Sequence, residues 1–211
     1  MTTDITPSGY VVSDLHIFAT SSLYERFLPE LYRAATEHSI VVLNGDTFDF
    51  KRSKFSSGRE TIQQAITWLK AFCSQAPQTT IHYLLGNHDS NPPFFAALRV
   101  LAASTPNLTV TPDTLQLGSN LFIHGDACDL PRSQSDISIV RRRYASTERS
   151  AASIVFASLV THLRLNVVEY LRHSQKELAE KILAYLNATR PDFRESVRTI
   201  YFGHTHVPFQ N

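Results

Sequence analysis

Cysteine is scarce in this 211-residue chain: Cys73 and Cys128 are the only two and lie far apart. That excludes a disulfide scaffold or a zinc knuckle and suits two free thiols in a reducing compartment. An excess of either charge is missing too, with 20 Lys and Arg against 19 Asp and Glu. The balance gives no electrostatic case for duplex DNA, so a nucleic-acid partner is not expected. No charged segment followed by a long apolar one opens the chain, because Met1 to Gly9 is short and polar. No signal peptide is therefore expected, and the chain reads as cytoplasmic. Internal repeats and low-complexity tracts are absent. The most apolar stretch, Ala151 to Leu171, is interrupted by His162, Arg164, Asn166 and Glu169 and is marginal in length, which weighs against a spanning helix. What remains is ordinary: 43% hydrophobic and 18% charged residues, enough for one well-buried domain over 1–211 with room for an insertion.

Five short apolar runs each stop abruptly at polar residues. Tyr10 to Val12 runs into Ser13-Asp14, Ile40 to Leu43 into Asn44-Gly45-Asp46, and Ile81 to Leu85 into Gly86-Asn87-His88. Leu121 to Ile123 runs into His124-Gly125-Asp126, and Thr199 to Phe202 into Gly203-His204-Thr205-His206. Continuous β-branched and aromatic runs of this length predict strands buried on both faces. Helical patterns separate the early ones. Leu28, Leu31 and Ala35 share a face within Leu23 to His38, and Ile62, Ile66, Leu69 and Cys73 share one within Glu60 to Gln75. Ser57 and Glu60 have capping-box spacing, and Pro77 closes that helix. Such alternation predicts a layered α/β domain with parallel pairing and with the polar strand ends on one sheet edge, where ligands bind. The stretch from about 127 to 198 breaks the rhythm and reads as a helical cap insertion, with a second capping box at Ser174 and Glu177 followed by Leu178, Ile182, Leu183 and Leu186 on one face.

The residues at the strand ends carry the chemistry. In Asp14-Leu15-His16, residues two apart in an extended segment point the same way, so a carboxylate and an imidazole converge. That pair suits manganese, iron or zinc better than calcium. Gly45 lets the chain turn tightly and brings Asp46 of Gly-Asp-Thr-Phe-Asp to the edge. Gly86-Asn87-His88-Asp89 repeats the design with an amide and an imidazole, and the last two motifs add three more imidazoles. Five of the nine histidines thus follow predicted strands directly. The others, His38, His82, His162 and His173, fall inside helical or strand patterns and suit structural or surface roles. Singly, each motif has a structural alternative, as a helix cap or a turn; five in one chain, each at a strand end, point to a common site.

In this order the motifs resemble those of the calcineurin-like metallophosphoesterases, D-x-H, G-D-x-x-D, G-N-H-D/E, H-G-D and G-H-x-H, over residues 14–206. The resemblance implies a layered β-sandwich flanked by helices and two divalent cations, manganese foremost, with iron, zinc or magnesium as alternatives. It implies one cation on Asp14, His16 and His206, a second on Asn87, His124 and His204, and Asp46 bridging them. It further implies that His88 protonates the leaving oxygen or contacts the phosphate, and that Asp49 orients His88. A carboxylate offers the two oxygens a bridge requires, and an imidazole does not.

The Gly-Asp-Thr-Phe-Asp motif lacks the following Arg-Gly of the protein Ser/Thr phosphatases, which counts against a phosphoprotein substrate. The helical insertion between the last two motifs is similar to that of the UDP-2,3-diacylglucosamine diphosphatases, in which helices over the metal edge hold acyl chains. That branch implies a phosphodiester or pyrophosphate substrate, small or lipid-linked, and makes Ala151 to Leu171 either an acyl-binding surface or a helix packed on the protein's own core. This chain carries His88 where that branch typically has Arg, and it ends at Asn211 where the family usually adds further strands, implying either a shortened sheet or a truncated chain. The run Arg141-Arg142-Arg143 reads either as a solvated helix face or as a contact for a diphosphate or an anionic membrane surface. A non-catalytic scaffold and a nuclease are the competing functions. All seven implied ligands and His88 are present, which counts against the scaffold, and the neutral composition counts against the nuclease.

Overall fold

The computed structural model describes residues 8–131, 134–146 and 174–206. Four parallel strands, β1 (Gly9–Val12), β2 (Ile40–Asn44), β3 (Thr80–Leu84) and β4 (Leu108–Thr111), form a first sheet in that order. Three helices connect them: α1 (Leu28–Glu37), α2 (Gly58–Gln75) and α3 (Pro92–Ala103). A second sheet holds β5 (Thr114–Leu117), β6 (Asn120–Ile123) and β7 (Thr199–Tyr201), with β6 antiparallel to β5 and parallel to β7. Between β6 and β7 lie α4 (Ser138–Ser146), α5 (Gln175–Thr189) and the short α6 (Phe193–Ser196).

Strand alternation sorts the apolar residues into three layers. Val11 and Val42, paired in register, meet Leu84, Leu115 and Phe122 between the two sheets. Leu43 and Tyr83, also paired, face the helices of the first sheet and pack with Leu31, Leu69, Phe72, Phe94 and Leu98. On the far side, Leu121 and Ile123 pack against Leu178, Ile182 and Leu186 of α5. The result is helix, sheet, sheet, helix, the layered α/β architecture expected from the strand–helix alternation. Both cysteines are buried and free. Among the described residues no helix is long and apolar enough to cross a membrane.

The expected helix over Leu23 to His38 is a 3-10 turn (Tyr24–Arg26) followed by α1. Pro29 accounts for the break: it lies in the first turn of α1, where its missing N–H costs nothing. Ser57 caps α2 by accepting from the Glu60 N–H at 3.1 Å, as its spacing predicts, while the Glu60 carboxylate reaches Ser56. Ser174 caps α5 likewise. Strands β4 and β5 and helix α3 were not anticipated. In β4 two of four residues are Thr, so no apolar run marks it. Helix α3 starts at Asn91, whose side chain accepts from the Phe94 N–H at 3.2 Å, with prolines at the first two positions; Asn-Pro-Pro was the available signal. The stretch Ala151 to Leu171, read as an acyl-binding or core-packing helix, lies outside the described residues.

The basic run on α4 needs correction. Arg141 is neither solvated nor a surface contact: it is 8% exposed. Its guanidinium donates to both oxygens of the buried Asp126 carboxylate, from Nε at 2.8 Å and from Nη2 at 3.3 Å. It also donates to the Leu85 and Pro112 carbonyls at the ends of β3 and β4. One side chain thus fastens α4 to both sheets. Arg142 is exposed and lies 3.6 Å from Asp136. Arg141→Ala leaves Asp126 buried and unpaired, and is expected to lower unfolding free energy by ~3–5 kcal/mol. Urea titration checks this; a loss below ~1 kcal/mol would show that the pair is solvated in solution.

Candidate metal centre

Each of the five strand-end motifs reaches the same edge of the sandwich. The loops after β1 and β2 are joined by hydrogen bonds from the Asp14 N–H to the Gly45 carbonyl and from the His16 N–H to the Asp46 carbonyl. Gly45 has φ +84°, and a Cβ there would lie 2.4 Å from His124 Nδ1. Gly86 is tighter, because its Cβ would lie 2.2 Å from Asp46 Oδ1. These positions admit only glycine because the side chains of the site fill the space beside them.

The non-glycine residues with positive φ are Asp14, His16, Phe18, Asp46, His204 and His206 among those described. Five of the six belong to the set the motifs single out. A left-handed conformation costs such residues of order ~1–3 kcal/mol and persists where surrounding structure enforces it, typically at a functional site.

Their side chains converge in two neighbouring groups. Asp14, His16 and His206 bring one ligand atom each within 4.8 Å of one another, and so do Asp46, His124 and His204. In the first group Asp14 Oδ1 lies 3.6 Å from His206 Nε2 and 4.0 Å from His16 Nε2. That oxygen is buried and accepts no hydrogen bond, while Oδ2 accepts from the Ser13 hydroxyl at 2.5 Å and the His204 N–H at 2.9 Å. An uncompensated buried carboxylate oxygen is costly, and a cation between these three side chains would satisfy it. Burial and the neighbouring His88 lower the His16 imidazole to about 4, so its ring is neutral and able to ligate at neutral pH.

In the second group His124 is wholly buried. Its Nδ1 meets the Asn44 carbonyl at 3.2 Å, which assigns the hydrogen to that nitrogen. Nε2 then faces Asp46 Oδ2 and Asn87 Oδ1, each at 3.2 Å. Burial disfavours a charged ring, but the Asp46 carboxylate outweighs it and raises the imidazole to about 9. The Asp46 carboxyl shifts oppositely: burial pushes it up, and the facing His124 and His88 rings bring it well below the usual range. A second proton on His124 therefore occupies the position a cation would take. His204 Nε2 lies 3.0 Å from Asp129 Oδ2. Burial lowers its imidazole, but hydrogen bonds to Asp129 and Cys128 outweigh burial and raise it well above the ordinary histidine value; a carboxylate backing a histidine in this way is common around metals.

A cation held by His124 would have to expel the proton on that ring, which fixes the sign of a pH effect. Below about 9 the ring is protonated, so apparent affinity falls as pH falls, and about one proton is released per protein from this residue at pH 7. Calorimetry in buffers of differing ionisation enthalpy checks this; zero proton release would remove His124 from the ligand set.

His88 is held from two sides. Its N–H donates to Asp46 Oδ1 at 2.8 Å, and its Nδ1 lies 2.9 Å from Asp49 Oδ2. Asp49 Oδ1 accepts from the Lys51 and Arg52 N–H groups at 2.8 and 2.9 Å. Burial would raise the Asp49 carboxyl, but the His88 hydrogen bond and charge win and hold it at about 2. An ionised Asp49 fixes the hydrogen on Nδ1 and turns Nε2 toward Asp46, 3.9 Å from Oδ2.

All seven implied ligands and both implied catalytic residues thus fall at one site. Sequence reasoning missed four participants. Ser13 and Asp129 support Asp14 and His204. Asp89, fully buried, accepts from the Thr47 N–H, the Tyr83 hydroxyl and the Gly86 N–H, locking the second and third loops together. Burial and the Asp46 charge raise its carboxyl to about 7. Tyr144 of α4 brings its hydroxyl 2.7 Å from His88 Nδ1. Asp89 had a signal in the Gly-Asn-His-Asp motif; Tyr144 and Asp129 had none.

No curated protein and no solved structure matches the chain significantly. A family match covers residues 10–208, nearly all of the sequence, and spans every motif that builds this centre. The chain belongs to the calcineurin-like phosphoesterase family, whose members are metal-dependent phosphoester hydrolases.

Proposed function

We propose that the protein is a dinuclear-metal hydrolase of phosphodiester or pyrophosphate bonds. The observation that carries this reading is the abutment of the two ligand groups: Asp14 Oδ2 accepts from the His204 N–H at 2.9 Å, and the buried Asp46 faces both His124 and His88. In this reading Asp14, His16 and His206 hold one cation, Asn87, His124 and His204 hold the other, and Asp46 bridges. When bound, the two cations supply Lewis-acid charge to phosphoryl oxygens and a water acidic enough to ionise near neutral pH. Manganese is the proposed occupant, with iron, zinc or magnesium as alternatives, since Asp, Asn and His donors suit borderline cations.

The chain's own residues supply the rest. Asp49 holds Nδ1–H of His88, so Nε2 is the nitrogen that carries a proton toward the leaving oxygen. Asn87 contributes a neutral oxygen, which limits the negative charge gathered around Asp46. The proposed substrate class is a nucleotide-diphospho compound, lipid-linked in the fullest form of the reading. Support comes from Phe50 and Lys51 standing where the protein Ser/Thr phosphatases carry Arg-Gly, and from the insertion whose helix α4 reaches His88.

The test is hydrolysis of bis-p-nitrophenyl phosphate by metal-stripped protein after addition of Mn, Mg, Zn or Fe(II). Turnover restored by metal is the expected result. Two tightly bound ions without turnover on this ester or on nucleotide-diphospho compounds would turn the reading toward a scaffold.

A further inference from the structure

We propose that Tyr144 is a positioning residue for the reaction, delivered by α4 to hold the His88 ring in its proton-donating orientation. The inference rests on the reading of His88 as the proton donor. The buried Arg141 pins α4 to Asp126 and to the ends of β3 and β4. Tyr144 follows three residues later, on the same helix face as Arg141. The anchor therefore aims the phenol.

At His88 the phenol makes two kinds of contact. Its ring lies 4.3 Å from the imidazole centroid at a tilt of 42°, and its hydroxyl is 2.7 Å from Nδ1. That nitrogen already faces Asp49 Oδ2 at 2.9 Å. One nitrogen carries one hydrogen, and a carboxylate accepts only, so the hydrogen sits on Nδ1 and is shared between Asp49 and the phenol oxygen. Two acceptors on one N–H, plus a ring packed beside it, restrict rotation of the imidazole more than Asp49 alone. Lys51 holds the tyrosine in turn: its Nζ lies 3.7 Å from the ring centroid and donates to the Tyr144 carbonyl. Lys51 follows Asp49 by two residues, so the segment that orients His88 also grips the residue beside it. Placement of α4 is thereby coupled to proton delivery.

A residue acting through proton donation matters most when the leaving group is poor, because a nitrophenolate departs without much help. The experiment measures kcat and KM for Tyr144→Phe, His88→Ala and the double variant on a p-nitrophenyl diester and on an alkyl diester, with metal content recorded. Tyr144→Phe, which keeps the ring and removes the hydroxyl, is expected to lower kcat on the alkyl ester about 10-fold with KM and metal content unchanged, and to have a smaller effect on the nitrophenyl ester. In the His88→Ala background the same change is expected to have no further effect. An equal loss on both esters, or a full loss without His88, overturns the proposal. If His88→Ala itself discriminates between the esters and Tyr144→Phe does not, only the role of Tyr144 fails. If His88→Ala shows no discrimination, the proton-donor reading beneath it fails.

Discussion

Replacing Asp46 with alanine is expected to abolish tight cation binding and to reduce turnover by more than ~10³-fold, the scale of losing a group that stabilises transition-state charge. The loss follows from its position. Asp46 is 1% exposed, and its two oxygens serve different neighbours. Oδ1 accepts from the His88 N–H at 2.8 Å, and Oδ2 faces His124 Nε2 at 3.2 Å. Alanine removes the charge that raises His124 and the only carboxylate of the second ligand group. Asp46→Asn keeps the volume and one acceptor oxygen, so it separates the loss of charge from the loss of packing. Both variants are expected to be metal-poor by elemental analysis while retaining a native circular dichroism spectrum. Full metal occupancy in Asp46→Asn would show that Asp46 does not bridge.

His88→Ala is expected to behave in the opposite way: both cations retained, turnover down by ~10²–10⁴-fold, the usual contribution of a positioned proton donor. The imidazole meets Asp49 and Tyr144 through Nδ1 and turns Nε2 toward Asp46. It belongs to neither of the two groups that include Asp14 and Asp46. It does sit with His16 and Asp49 in a third group of three possible donors, so metal content is the deciding readout. Equal metal loss in His88→Ala and Asp46→Ala would make His88 a ligand and remove it as the proton donor.

Much of this site is legible in the sequence because its elements are local. Each of these strands reads as an uninterrupted apolar run, and Asp14, Asp46, Asn87, His124, His204 and His206 all follow such runs within a few residues. Only β2, β3 and β6 are largely buried as expected, while β1 is half-buried and β7 mostly exposed. The residues that remained hidden act across long distances in the chain. Asp129 reaches His204 from 75 residues away, Arg141 reaches Leu85 from 56, and Tyr144 reaches His88 from 56. Nothing in Arg141-Arg142-Arg143 distinguishes the buried member. Helix phase decides it, and phase depends on where α4 begins and on the carboxylate of Asp126 waiting beneath it. Strand β4 was invisible for a different reason: Leu108 is buried, Thr109 is exposed and Val110 half-buried, so it carries the signature of an edge and not of a core strand. The left-handed backbone at Asp14, His16, Asp46, His204 and His206 was equally hidden, since no glycine or asparagine announces it.

In the proposed centre seven side chains hold two cations with Asp46 between them. Anomalous scattering from crystals of the manganese-loaded protein tests it most directly. The expected result is two peaks flanking the Asp46 carboxylate, one contacted by Asp14, His16 and His206, the other by Asn87, His124 and His204. A single peak, or a peak held instead by the neighbouring group Cys128, Asp129 and His204, would contradict the account.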